Sequence, residues 1–463
     1  MPTKKTDDAY DVLIIGGGQA GIPLAHALAG RGKRVALAER KHLGGSCVNF
    51  GCTPTKAVIA SAKVAQLARR GYEFGLNIPK VSVDLPRVLG RAKGIVAQSR
   101  IALRKGLEET ANPKLLWGHA RFEGKRGKLF RVRVGHQPII ARQVVLDTGT
   151  RSLIPGVEGL DRIDFLEAGN WLENPELPDH LAVIGGSYTG LEMAQFYRRM
   201  GSRVTVIEAG PRITAREDRD VATALQHFLE AEEITFRLNT RLARVRSVRG
   251  RLQLTLREGR KSSALSASHL FLATGRKPNT DDLGLERVGV KLGKDGIVKT
   301  DKRLATNVRG IWAAGDIRGG PMFTHTAWDD YRVLSSQIGG DRSRTTDRIV
   351  PYAIYTDPQL GRAGLTEEEA RRTGRRVRIG RYEMKKNGKA KEIGEPGGFV
   401  KVVVDSRTKR LLGAAVLAAE GAELIHLCID IMNAKAPYTA IRDAVHIHPT
   451  LAEAVQSAVS SLE

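Results

Sequence analysis

A strand–turn–helix unit that occurs twice constrains this chain more than any other feature. "YDVLIIGGGQAGIPLAHALAGRGKRVALAER" begins at Tyr10, and "HLAVIGGSYTGLEMAQFYRRMGSRVTVIEAG" begins at His180. In the first, Gly16, Gly18 and Gly21 form G-x-G-x-x-G directly after the apolar run "DVLII". The first glycine permits a tight turn. The second lets the backbone approach a pyrophosphate, and the third lets helix and strand pack closely. The helix N-terminus then points free N–H groups at the phosphates. Glu39 ends the next strand, 23 residues beyond Gly16, where an acid can hold ribose hydroxyls. The second unit has Gly185, Ser187 and Gly190 at the same spacing, with Glu208 23 residues beyond Gly185. Ser187 replaces the middle glycine, and its small side chain is expected to fit. Two such units predict two dinucleotides.

A length of 463 residues suggests about three domains at roughly 150 residues each. The longest uncharged run, Val12 to Gly30, is nearly long enough to span a bilayer. Three consecutive glycines and Pro23 make a strand–turn–helix the better reading. The N-terminus has no apolar core of signal-peptide length, and three cysteines exclude a disulfide scaffold. A reducing cytoplasm is the expected compartment, with no membrane association. The net charge of +24 raises nucleic acid as a partner. The basic residues are spread along the chain, and the densest groups, Arg371–Arg381 and Lys385–Lys391, lack interleaved aromatics. A solvated surface is the expectation, and a positive field would also steer anionic nucleotides. A basic nucleic-acid-binding protein with a vestigial nucleotide fold is the alternative from another class.

Further on, "HLFLATGRKPNT" (His269 to Thr280) and "RGIWAAGDI" (Arg309 to Ile317) each read as a short apolar strand ending at a glycine. The first of these glycines, Gly275, is a candidate cofactor contact. Asp316 sits where a carboxylate could bond a polyol chain, with an ordinary turn aspartate as the alternative. From about Pro351 the texture changes to two strands around a turn at Asp405 to Lys409, followed by a helix. That suggests an α/β unit with no nucleotide loop.

Two of the three cysteines lie in "GGSCVNFGCTPTK", at Cys47 and Cys52, immediately after the first nucleotide unit. They are expected beside whatever ring that cofactor carries. A zinc site usually needs four ligands, often in close pairs, and there is no second pair. Two unrelated buried thiols are another alternative. A redox-active disulfide next to a flavin explains the glycines, the spacing and the location together.

This stretch resembles the active-site motif of the flavoprotein disulfide reductases, which include dihydrolipoamide dehydrogenase, glutathione reductase and mercuric reductase. The resemblance runs through the chain in order: the first fingerprint, the cysteine motif, the second fingerprint, "ATGRKPNT", "AAGD" and "HIHPTLAEA" at His446 to Ala454. It implies an α/β fold with two Rossmann-like dinucleotide-binding domains and a C-terminal α+β dimerisation domain. The expected boundaries are 1–155 for the first part of the FAD domain with the redox disulfide, 156–275 for the NAD(P) domain, 276–350 for the second, central part of the FAD domain, and 351–463 for the interface domain. The implied cofactors are FAD and NAD(P)H, and Glu208 favours NADH by repelling a 2′-phosphate. Arg203 and Arg212 lie near in sequence and could offset that repulsion.

The resemblance also implies roles. Cys47 would be the interchange thiol and Cys52 the charge-transfer thiol. Lys56 would lie near the flavin paired with Glu192. Tyr188 would gate the nicotinamide pocket, and Asp316 would hold the FAD ribityl chain. His448 and Glu453 would form a catalytic pair that reaches the disulfide of the other subunit, which implies a homodimer. The expected reaction passes hydride from nicotinamide through flavin to the Cys47–Cys52 disulfide, and on to a disulfide or dithiol substrate. No resident metal is expected.

Four features depart from the common pattern. Thr53 and Thr55 stand where aliphatic and serine residues are usual, and Asp147 stands where an uncharged residue is usual. "MFTHTAWDDYR" (Met322 to Arg332) is unlike dihydrolipoamide dehydrogenase. With "EAGPRITAREDRD" it looks more like a mercuric-reductase-like branch that includes a copper(II)-reducing flavoenzyme. A metal-ion reductase using the same thiols on Hg(II) or Cu(II) is therefore the alternative activity. Mercuric reductase itself carries a C-terminal cysteine pair and commonly an N-terminal metal-binding domain. This sequence shows neither, and Cys428 reads as a core residue.

Overall fold

Strands buried on both faces need continuous apolar sequence. The first unit supplies it: Val12, Leu13 and Ile14 are fully buried. The computed structural model describes residues 9–462. The extreme ends of the first and last expected domains, residues 1–8 and 463, lie outside the described residues.

β1 (Tyr10–Ile15) is central in a seven-stranded sheet. On one side follow β2 (Val35–Glu39) and β3 (Lys114–Trp117). On the other lie the meander strands β4 (Ala120–Arg126), β5 (Leu129–Val134) and β6 (Gln137–Leu146), with β6 against β1. β1 pairs in parallel with β2 and β6, while β4 to β6 run antiparallel. β5 shows the two-residue period of a sheet wetted on one face: Phe130, Val132 and Val134 are buried, and Arg131 and Arg133 are exposed. A distant strand, Ile311–Ala313, returns to pair in parallel with β6.

Helix α1 (Gly21–Ala29) joins β1 to β2. Between β2 and β3 come α2 (Gly45–Asn49), α3 (Cys52–Arg69) and α4 (Leu85–Glu108). Asp84 caps α4 by accepting from the Arg87 N–H at 3.0 Å, and Pro86 occupies its first turn, where a missing N–H costs nothing. Ala57, Val58 and Ala62 of α3 share one apolar core with Leu191 and Phe196 of α5 (Tyr188–Met200), so the cysteine helix is held against the second unit.

That unit is a four-stranded parallel sheet of Thr235–Arg237, Arg203–Ile207, His180–Ile184 and His269–Leu272. The chain crosses between the two units through Thr150–Ser152 and Arg276–Pro278, which pair antiparallel. The C-terminal part is a five-stranded antiparallel sheet whose Phe399–Asp405 strand is buried along its whole length. Helices Gly421–Asn433 and Glu453–Ser460 contribute to its core, which includes the fully buried Cys428. Arg362 of this sheet is buried and paired with the buried Glu217, which also accepts from the Tyr352 hydroxyl, so this part is tied to the second unit. No helix among the described residues is long and apolar enough to cross a membrane.

Candidate active site

The two glycine turns share one geometry. Gly16 has φ +113° and Gly185 φ +112°, a region L side chains rarely adopt. A Cβ on Gly21 would collide with the Gly16 carbonyl oxygen, and one on Gly190 with that of Gly185. Helix and turn therefore touch backbone to backbone. Glu39 Oε2 accepts from the Gly17 N–H at 2.8 Å, and Glu208 Oε2 from the Gly186 N–H at 2.7 Å. Ser187 has an extended backbone, φ −106°, so the residue that replaced glycine is unstrained.

The first turn differs in one respect. A Cβ at Gly18 would stand 2.8 Å from Asp147 Oδ2, so the carboxyl of Asp147 occupies the space beneath the turn. The equivalent residue in the second unit is Ala273, whose carbonyl meets Gly185 as that of Asp147 meets Gly16.

Both turns open into one cleft of about 1350 Å³. Single small-molecule pockets run to roughly 300–1,000 Å³, so this cleft has room for more than one such ligand. Gly16, Gly18, Glu39, Gly185, Ser187, Tyr188, Glu208, Gly275 and Asp316 all line it, as do Cys47 and Cys52. A Cβ on Gly45 would lie 3.1 Å from the Gly18 Cα, so the first turn and the cysteine segment meet backbone to backbone. The turn backbone and the Glu39 carboxylate fit the phosphates and ribose of a dinucleotide, in the same cleft as the thiols.

Local backbone sets the thiols. Gly44 and Gly45 take positive φ, and the buried Asn49 donates to the Leu43 and Gly45 carbonyls at 2.9 and 2.7 Å. That pins α2, which carries Cys47. Cys52 is the first residue of α3 and opens toward the cleft. A helix N-terminus favours a thiolate. Cys52 is lowered to about 6, first by the hydrogen bond from Cys47, then by the Thr324 hydroxyl and the charge of Lys56, against the opposing effect of burial. Cys47 is pushed far up by the same hydrogen bond, by burial and by the neighbouring charge. Both shifts favour the proton on Cys47 and the negative charge on Cys52.

Lys56 follows Cys52 by four residues, on the same face of α3. Its Nζ donates to Glu192 Oε2 at 2.8 Å, while Glu192 Oε1 accepts from the Tyr355 N–H at 2.9 Å. Burial works against the Lys56 charge, but attraction to Glu192 and their hydrogen bond reverse the balance and raise its pKa. Asp316 Oδ2 accepts from the Thr150 hydroxyl at 3.0 Å, and its pKa is raised chiefly by burial. Tyr188, the first residue of α5, faces Phe323 with ring centroids 6.0 Å apart.

His448 and Glu453 are not part of this cleft's lining. They pair with each other, His448 Nδ1 to Glu453 Oε1 at 3.0 Å, and Glu453 also accepts from the Thr450 N–H at 2.8 Å. The pair sits on an open surface beside Val445, which is 100% exposed, and Ile447, which is 79% exposed. Among the described residues there is no cluster of three or more His, Cys, Asp or Glu side chains able to hold a metal.

Sequence reasoning assigned no role to Thr324, whose hydroxyl lies 3.2 Å from the Cys52 sulfur. It belongs to the stretch flagged as unusual, but no spacing rule connects it to a cysteine 272 positions away. Phe323 was missed for the same reason.

The family model for pyridine nucleotide-disulphide oxidoreductases matches residues 10–330, and that for their dimerisation domain matches residues 350–459. The chain belongs to this family. It is 31% identical over 456 residues to the probable pyridine nucleotide-disulfide oxidoreductase RclA of Escherichia coli, covering 97% of this chain and 99% of RclA. It is 32% identical over 470 residues to the dihydrolipoyl dehydrogenase of Cupriavidus necator, covering 98% of each. The solved structure of E. coli RclA, an HOCl-induced flavoprotein disulfide reductase, superposes with a TM-score of 0.89 at 31% identity, covering 98% of this chain and 100% of RclA. LpdA of Mycobacterium tuberculosis superposes at 0.90 with 25% identity, covering 98% of this chain and 99% of LpdA. This pyridine nucleotide-disulphide oxidoreductase is therefore an α/β enzyme of an FAD- and NAD(P)H-dependent family, with a dimerisation domain at its C-terminal end.

Proposed function

We propose that this oxidoreductase uses NAD(P)H to reduce a small-molecule disulfide at Cys47 and Cys52, with FAD as its resident cofactor in a reducing cytoplasm. The observation that supports this best is the thiol pair at the head of α3, beside Lys56 and Glu192, in a cleft that also takes in both glycine turns. FAD, when bound, supplies two-electron transfer between the nicotinamide and the thiols. The chain's own residues do the rest. The first turn and Glu39 hold one nucleotide, with Asp316 toward its polyol. The second turn and Glu208 hold the other, and the two bonded oxygens of Glu208 present a fixed carboxylate that favours NADH over NADPH. Tyr188, set against Phe323, would gate the nicotinamide pocket.

The thiol chemistry follows from the charge distribution. Cys47 gives up its proton and attacks one substrate sulfur, which breaks the substrate disulfide and forms a mixed disulfide. The departing thiolate takes up a proton. The Cys52 thiolate then attacks Cys47, which closes the Cys47–Cys52 disulfide and releases the second substrate thiolate. Attack by Cys47 requires a base for its proton. We assign that role to the His448–Glu453 pair of a second copy, in a homodimer built on residues 350–459.

One observation favours a second reading, a metal ion as electron acceptor: E. coli RclA was also solved as a Cu(II) complex. Steady-state turnover of lipoamide, glutathione disulfide, Hg(II) and Cu(II) with NADH separates the two. Turnover of a disulfide supports the first reading. Turnover of metal ions alone replaces it with the second.

A further inference from the structure

Asp147 follows β6 and is only 7% exposed. Its N–H donates to the Ile15 carbonyl at 2.8 Å, and its Oδ2 accepts from the Gly21 N–H at 2.7 Å, at the head of α1. Its Oδ1 faces Gly315, where an added Cβ would lie 3.0 Å away. The charged and polar groups around it come from three elements. The start of α1 presents the N–H groups of Ala20 and Gly21. The segment after Ile311–Ala313 presents Asp316, and helix Thr324–Gly339 presents Asp330.

The nearby cations are engaged elsewhere. Asp330 is bonded to the Gly315 N–H at 2.8 Å, to Arg318 at 2.9 Å and to Arg348 at 2.6 Å. Arg276 stands 3.7 Å from Asp316. Among the described residues no lysine or arginine pairs with Asp147. Burial, then Asp316 and Asp330, push its carboxyl well above the ordinary range, against the Gly21 and Ala20 N–H groups.

The second unit is an internal comparison. There Ala273 takes the same place, with its Cβ 3.4 Å from where a Cβ on Gly190 would lie. The turn and helix form without a carboxyl, so Asp147 is not required by the geometry of the motif. What the carboxyl adds to the turn is a titratable charge and a hydrogen bond to the Gly21 N–H. A helix N-terminus offers an anion about half a positive charge, and an ionised carboxylate on the same N–H groups cancels that attraction.

We propose that Asp147 makes FAD retention depend on pH: its neutral carboxyl leaves the first glycine turn able to hold the cofactor's pyrophosphate, and its ionised form sets a negative charge beneath that turn. The proposal rests on FAD occupying the first turn, as read above. Proton and cofactor are then linked, so phosphates that favour the protonated carboxyl must bind better when it is protonated. FAD affinity should fall as pH rises above the carboxyl's titration point without FAD. The fall should be at most about tenfold per pH unit and should level off above the titration point with FAD bound.

The test is FAD release from the holoenzyme after dilution, followed by recovery of free-flavin fluorescence from mildly acid to mildly alkaline pH. Wild type is expected to release FAD faster as pH rises, by up to about tenfold per unit within one window. Asp147→Asn is expected to be slow and flat. Asp147→Ala copies Ala273 and should also be flat, which keeps the test open if the asparagine variant does not fold. Equal release from wild type and Asp147→Asn at every pH overturns the proposal while FAD binding stands. A slope that persists in Asp147→Asn assigns the effect to another group and also overturns it. If wild type carries no flavin at any pH, the FAD reading of the turn fails first and the proposal with it.

Discussion

Lys56 Nζ donates to Glu192 Oε2 at 2.8 Å, joining a helix of the first unit to a helix of the second. Glu192 is only 4% exposed, so its charge depends on this partner and on the Tyr355 N–H. Glu192→Gln keeps a hydrogen-bonding group but removes the charge. The expected loss is about 1–3 kcal/mol, read as a lower thermal midpoint. Glu192 also opposes ionisation of Cys52, so the same variant should titrate Cys52 at lower pH. An unchanged or higher titration point would show that Lys56 no longer reaches the thiolate.

Thr324 sets the thiolate from the other side. In reduced enzyme carrying FAD, a long-wavelength thiolate-to-flavin band is expected to disappear on acidification, at a midpoint below the ordinary thiol range because Cys52 is lowered to about 6. Thr324→Val removes a lowering contribution and should move that midpoint upward. Cys52→Ser should abolish the band and Cys47→Ser should keep it. A band that survives in Cys52→Ser would reverse the assignment of the two cysteines.

Glu208 is held by two N–H groups, from Gly186 and Gly210, at 2.7 Å each. A carboxylate fixed this way cannot swing aside for a 2′-phosphate. The ratio of kcat/KM for NADH over NADPH is expected to exceed about tenfold, since like charges juxtaposed at a binding site cost several kcal/mol. Glu208→Gln should narrow it. A wild-type preference for NADPH would mean that nearby arginines outweigh the carboxylate.

His448 and Glu453 lie outside the cleft, so the catalytic role proposed for them requires a second copy. His448→Ala is expected to lose disulfide reduction by about a hundredfold to ten-thousandfold while keeping most dye reduction, which needs no base at Cys47. Glu453→Gln should lose less, because it acts through the histidine. Mixing His448→Ala with Cys47→Ser subunits should restore some disulfide turnover, because one of the two sites in a hybrid dimer is whole. No restored activity under subunit exchange would argue against a shared site.

The glycine turns were legible because their constraints are local. A positive φ at Gly16 and the contact of Gly21 with the Gly16 carbonyl act within six consecutive residues. The continuous apolar run of β1 and the alternation in β5 also speak for themselves, since each strand's period reports how many of its faces are buried. The place of Lys56 one turn after Cys52 follows from helix period alone.

What the sequence by itself determined, then, is the set of local devices: two glycine turns at helix starts, a thiol pair at a helix start, and strands that must be buried. The tertiary structure alone decided their electrical surroundings. Asp147 reaches Gly21 across 126 positions, Glu192 reaches Lys56 across 136 and Thr324 reaches Cys52 across 272. Those meetings depend on Ile311–Ala313 returning to β6 and on α3 packing against α5. A carboxyl or thiol takes its charge state from burial and from the charges brought beside it. Neither exists until the distant segments have packed.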